Sequence, residues 1–155
     1  MIDDKLAYRT QKALRGAPEE FASFEAGNAV RTPKELVRHM TSVLGYARTF
    51  FRGGTYRAES LESLSDEVQR FHLMLHDLSD HLERGDALLN VTPEQLLQGP
   101  LADVMTHAGQ LAMLRRLHGS AVPPENFIEA EIDPSRLGED QSLPRSPDAV
   151  WPERL

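Results

Sequence analysis

Residues 59–84 read ESLESLSDEVQRFHLMLHDLSDHLER, and Leu61, Leu64, Val68, Phe71, Leu75, Leu78 and Leu82 recur along them at alternating steps of three and four. That period lays a continuous apolar stripe down one side of an α-helix, and no strand alternation competes with it. Gly85 follows as the stop, because glycine accepts the left-handed backbone that ends helices. A single amphipathic helix cannot bury its own stripe, so the rest of the chain must supply partners.

Upstream, Thr32-Pro33-Lys34-Glu35 carries a Thr N-cap, a proline at the first helical position and a Glu three residues after the cap. The helix so announced runs to about Arg52 before Gly53-Gly54, with Leu36, Met40, Val43, Leu44, Ala47, Phe50 and Phe51 on its apolar face and His39 at the edge of that face. Downstream, Thr92-Pro93-Glu94-Gln95 caps a short turn, and Gly99-Pro100 launches a further helix to about Leu117 with Val104, Met105, Ala108, Leu111 and Leu114 inward. Residues 3–16 form the remaining segment, interrupted by Gly16 and Pro18, with Phe21 and Phe24 plugging the connection. These segments predict an all-α fold, an antiparallel four-helix bundle over residues 1–119.

Past Gly119 the period is lost. Six of the ten prolines fall in residues 120–155, and Val122, Phe127, Ile128, Ile132 and Trp151 appear without a repeat. This Pro-rich C-terminal extension is expected to pack partly on the bundle or on a second subunit, its last part extended and mobile.

Composition narrows the function. The chain has 155 residues, 40% hydrophobic and 26% charged, which suits one globular body and neither a disordered nor a membrane protein. Net charge is −7: residues 1–119 hold 14 basic and 16 acidic side chains, residues 120–155 hold 3 and 8. Such a surface repels phosphate backbones, so nucleic acid is not expected as a partner. No cysteine is present, which excludes disulfides, thiolate metal sites and a cysteine nucleophile. The opening MIDDKLAYRTQK puts acids where an export signal carries positive charge, and no stretch is long and apolar enough for a membrane span, so a soluble cytoplasmic protein is expected.

Chemistry-bearing residues concentrate in the histidines, at 39, 72, 76, 81, 107 and 118. Ligand-type residues four apart share a helix face, and Glu35/His39, His72/His76, Asp77/His81 and Asp103/His107 have that spacing. Such pairs also arise by chance, so position decides. Asp103 and His107 adjoin Val104, Ala108 and Leu111, and a bundle that joins the second and last helices gathers His39, Asp103 and His107 around one divalent ion. Two imidazoles and a carboxylate leave coordination positions for water or substrate. His72 and His76 lie one step off the core seam, while His81 and His118 read as solvated or helix-end residues. The competing reading of every core histidine is a polar group satisfied by hydrogen bonds.

Two stretches resemble the DinB/YfiT-like metalloenzyme family. MTHAGQLAMLRRLHG, residues 105–119, is similar to its last-helix motif, with His107 two residues before Gly109-Gln110, and TPKELVRHM is similar to its capped second helix, with His39 on the inner face. The resemblance covers about residues 1–119 and implies a DinB-type four-helix bundle. It also implies a divalent metal, often zinc or nickel, held by one His of the second helix and a His-x-x-x-His pair of the last. Here Asp103 stands where the first His of that pair is expected. The substitution makes zinc less secure and favours iron, manganese or nickel, or marks a member that has lost its metal.

On that basis the expected function is a divalent-metal-dependent enzyme acting on a small molecule. Relatives implied by the resemblance are low-molecular-weight-thiol-dependent transferases and isomerases, commonly homodimers. Gln110 is expected to orient a ligand, Glu35 is a further ligand-type residue, and Arg115 and Arg116 are candidates for holding an anionic substrate or for capping the helix end. Gly109 is expected to let another helix approach closely. The alternative is a non-catalytic small-molecule-binding or dimeric interaction module without metal.

Overall fold

Capping residues set the helix boundaries throughout this computed structural model, which describes residues 2–145. Helix α1 spans Ile2–Leu14, α2 Pro33–Arg52, α3 Leu64–Arg84, the short α4 Pro93–Leu96 and α5 Ala102–Leu117, with no strand among the described residues. At α2, the Glu35 amide donates to Thr32 Oγ1 (3.3 Å) and the Thr32 amide donates to the Glu35 carboxylate (2.9 Å). Ser63 caps α3 in the same reciprocal way with Asp66. The cap therefore starts α3 at Leu64 and not near residue 59, and Leu61 belongs to the preceding connection. There its amide donates to the buried Glu67 carboxylate (2.8 Å).

Helices α2 and α3 run in the same direction. Arg48 reaches Asp77 at 2.8 Å and the Arg52 Nε–H donates to His81 Nε2 at 2.8 Å, each across 29 residues of sequence. At the opposite end Lys34 Nζ donates to the carbonyls of Leu61 and Glu62 (3.1 and 3.0 Å), just ahead of the α3 cap. A nearly constant offset is the mark of a parallel pair. This corrects the expectation of an antiparallel arrangement throughout. Its cause is the connection over residues 53–63, which travels back along α2: the Ala58 amide donates to Ser42 Oγ (3.1 Å), and the Tyr56 ring lies on Gly45.

The other pairs complete a ring. Asp3 at the start of α1 accepts a short hydrogen bond from Ser79 late in α3, whereas Arg115 late in α5 donates to the Ala13 carbonyl (3.0 Å) at the end of α1. Helices α1 and α5 thus point one way, and α2 and α3 the other. Leu6, Phe21, Met40, Leu44, Phe71, Leu75, Leu78, Val104 and Leu111, all fully buried, form the shared core. Between α4 and α5 the chain passes a wide turn over Leu97–Leu101, where Gly99 leaves helical geometry and Pro100 lacks an amide donor. That kink redirects α5 against α2.

The described part of the extension lies on the bundle. Tyr8 donates to the buried Glu125 carboxylate (2.6 Å), Lys12 Nζ to the Pro123 carbonyl (2.6 Å), and Arg15 to the Gln141 carbonyl (2.7 Å). The Arg9 guanidinium sits over the Phe127 ring, 3.7 Å from its centroid. Trp151 and the final ten residues lie outside the described residues.

A Cβ at Gly45 would stand 1.9 Å from the Tyr56 ring, while one at Gly109 would meet nothing within 4 Å. Gly109 is therefore not a close-approach residue, contrary to the expectation from sequence; it faces outward on α5. Gly45→Ala is expected to destabilise the protein by about 1–2 kcal/mol despite a better helix propensity, because the crossover must lift off α2. Gly109→Ala is expected to stabilise it by about 0.5–1 kcal/mol. Urea unfolding midpoints of the two variants, read against the parent, check both signs.

Candidate metal centre

The face of α2 that carries Leu36, Met40 and Leu44 into the core brings His39 to the seam with α5. Asp103 and His107 reach the same seam from α5, one turn apart. One ligand-type atom from each of His39, Asp103 and His107 lies within 4.8 Å of the other two. His107 Nε2 stands 3.4 Å from Asp103 Oδ1, and the rings of His39 and His107 meet edge to face with centroids 4.8 Å apart.

The tautomer of His107 is fixed from behind. Its Nδ1–H donates to Gln110 Oε1 at 2.7 Å, so a neutral ring carries its lone pair on Nε2, turned toward Asp103. That Nε2 is buried and has no hydrogen-bond partner. Leaving such an atom unpaired costs about 1–3 kcal/mol, so the position favours an occupant that accepts a lone pair. Burial holds the His39 pKa below the ordinary histidine value, with Arg31 and His107 adding to the effect and Asp103 opposing it. His39 is therefore a neutral nitrogen donor at pH 7. Donors around a first-row divalent ion at about 2.1 Å stand roughly 3–3.4 Å apart, a spacing the His107–Asp103 pair already has. The residues fit a divalent metal.

Burial of the three donors is graded. His107 is buried, His39 half-buried and Asp103 exposed. Asp103 and His39 line a cleft of about 660 Å³ whose walls include Val43, Tyr46, Phe50 and Leu96. Tyr46 packs edge to face on Phe50 there, with centroids 4.8 Å apart. On its other side His39 borders a second cleft of about 530 Å³ into which Arg31, Arg38 and Arg57 project. Sequence reading did not single out these arginines: Arg57 lies on the crossover, and only its return along α2 brings it there.

Other candidate residues have different duties. Glu35 is taken up by the α2 cap and is not in the ligand group. Arg115 is buried, donating to the carbonyls of Ala13, Arg15 and Ser120 (3.0, 3.1 and 2.8 Å), so it ties two helix ends together and is not free for an anionic substrate. His81 lies at the end of α3, one of the two places expected of it, but is buried and not solvated, stacked on Phe51 and paired with Asp86 at 2.6 Å. His118 is wedged against Phe21 and Phe24, with its Nδ1 2.9 Å from Ser120 Oγ. His72 and His76 do not chelate: His72 Nδ1–H donates to the Leu137 carbonyl (2.7 Å), and His76 faces Asp80 on the surface.

Compared with family models, curated proteins and solved structures, the chain matched none.

Gln110→Leu is expected to weaken divalent-metal affinity 10- to 100-fold, because His107 loses the partner that fixes its tautomer, with little change in stability. Competition with a chromophoric chelator measures this. Arg115→Met should do the reverse, costing about 2–4 kcal/mol in urea unfolding and leaving metal affinity unchanged. Metal retention should fall as pH drops through the histidine range, since protons compete for the ring lone pairs. The depressed pKa of His39 delays its part of that loss to lower pH.

Proposed function

We propose that this protein is a divalent-metal-dependent enzyme of the DinB-like kind, with His39, Asp103 and His107 holding the ion. The observation that carries this reading is the buried, unpartnered Nε2 of His107, locked in the donor tautomer by Gln110 and facing Asp103 and His39. The resemblance of TPKELVRHM and MTHAGQLAMLRRLHG to that family's motifs supports it independently. A divalent ion there supplies a Lewis acid that polarises a substrate group and eases deprotonation of a nucleophile.

The chain's own residues bind and orient. His39 and His107 offer ring nitrogens, Asp103 offers a carboxylate oxygen that would offset part of an ion's charge, and Gln110 keeps His107 aimed. Val43, Tyr46, Phe50 and Leu96 present an apolar wall that draws a substrate's hydrocarbon portion out of water. With no cysteine in the chain, a thiol nucleophile comes from a cosubstrate, and a low-molecular-weight thiol transferred to or from a small molecule is the reaction class proposed. Zinc, nickel, iron and manganese all suit two imidazoles and a carboxylate. The harder oxygen donor favours iron or manganese over zinc relative to a three-histidine site.

Elemental mass spectrometry of the untagged chain after identical reconstitution tests the centre. The parent is expected to hold close to one divalent ion per chain, and His39→Ala, Asp103→Ala and His107→Ala to lose it. Asp103→His is expected to keep a metal and shift its preference toward zinc. A parent that stays empty overturns the metal reading.

A further inference from the structure

Thirteen arginines lie within the described residues, and nine are engaged. Arg48 and Arg52 pair with Asp77, Arg70 with Glu67, Arg84 with Asp86, Arg136 with Asp133 and Arg145 with Glu131. Arg15 and Arg115 bind carbonyls, and Arg9 covers Phe127. The side chains of Arg31, Arg38, Arg57 and Arg116 have neither an ion pair nor a hydrogen bond among the described residues. Three of these four converge on one cleft of about 530 Å³, and His39 forms part of its wall.

That convergence concentrates positive charge, with Arg38 half-buried and Arg31 and Arg57 exposed. Like charges around one concavity repel each other, and a guanidinium is stabilised by a planar oxyanion that accepts two of its hydrogen bonds. The chain has acids to spare, with net charge −7, yet only Glu35 and Glu59 reach this cleft; Glu35, hydrogen-bonded to the Thr32 amide, offsets part of the charge of Arg31 and Arg38, and three guanidiniums against two carboxylates leave the cleft net positive. Arg38 is half-buried, so its charge acts through a medium less screened than open water.

We propose that this cleft is an oxyanion subsite in which Arg31, Arg38 and Arg57 hold the carboxylate or phosphoryl group of a small anionic substrate. His39 and Ser42 line both this cleft and the apolar one, so a substrate anchored here extends past His39 with its uncharged part against Val43 and Phe50. The substrate class is thus a small acid with an apolar body. The assignment deepens the metal-centre reading and rests on it for the reaction, while the binding of the oxyanion rests on the three guanidiniums.

The test is an amide NMR titration of the full chain at physiological ionic strength, with inorganic phosphate and, separately, butyrate as probes. Saturable shifts at cleft residues are expected for at least one probe, with affinity about tenfold weaker in Arg38→Ala and in Arg57→Ala and unchanged in Arg116→Ala. Response to phosphate alone identifies a phosphoryl group, and response to butyrate alone a carboxylate. If neither probe saturates, or if Arg116→Ala loses as much affinity as the cleft variants, the subsite is overturned. Metal content of the same samples separates the two readings: a loaded protein that ignores both anions fails the subsite alone. Anion binding by a chain that takes up no metal upholds the subsite and fails the metal centre.

Discussion

The segment over residues 53–63 has to cover the length of α2 before α3 can begin. A 20-residue helix is about 30 Å long, and this connection, fully extended, spans roughly 36 Å, so it has almost no slack. Tyr56 on the bare backbone of Gly45, Ala58 on Ser42 and the carbonyls of Leu61 and Glu62 on Lys34 pin it along the way. Helix α3 therefore starts beside the start of α2. The remaining contacts follow from that placement, because α5 can then pack antiparallel on α2 and carry Asp103 and His107 to the level of His39.

A parallel pair brings two helix C-termini together, each with a partial negative charge from unpaired carbonyls. Arg48 and Arg52 from α2 and Arg84 from α3 gather at that end, with His81 stacked between them and Phe51. Asp77 and Asp86 bridge the cations so that their own repulsion does not reopen the pair. At the opposite face the extension performs a similar service for α1. Its carbonyls accept from Lys12 and Arg15, and Glu125 takes the Tyr8 hydroxyl, whose pKa burial and that carboxylate push well above its ordinary value.

Helix identity was legible in the sequence because the evidence for it is local. The 3-4 repeat through Phe71 and Leu75, the Thr32 box and the glycine stops are satisfied within a few residues of themselves. Relative direction was not legible, since a loop of 53–63 residues' composition closes an antiparallel hairpin or retraces a helix equally well. The triad could be read because His39, Asp103 and His107 each adjoin a core stripe, which restricts where their side chains reach. The burial of His81 and Arg115 was not legible for a related reason. Both sit near helix ends, where exposure is the ordinary outcome, and both are buried by partners that arrive from distant sequence: Phe51 in one case, Ala13 and Ser120 in the other.

The unequal burial of the three donors gives the centre a direction. His107 lies at the back, closed in by the core and held by Gln110, and it does not line the apolar cleft. His39 and Asp103 do line it, so an ion held by the three would lie beside the cleft walled by Tyr46, Phe50 and Leu96. A donor fixed by packing costs little to reorganise when an ion arrives, whereas the exposed Asp103 loses rotamer freedom on ligation. The packed histidine would thus set the position of an ion, with the exposed carboxylate adjusting to it. Asp103 sits at the solvent edge, where a carboxylate remains hydrated without a metal, while a carboxylate in place of His107 would be buried unpaired.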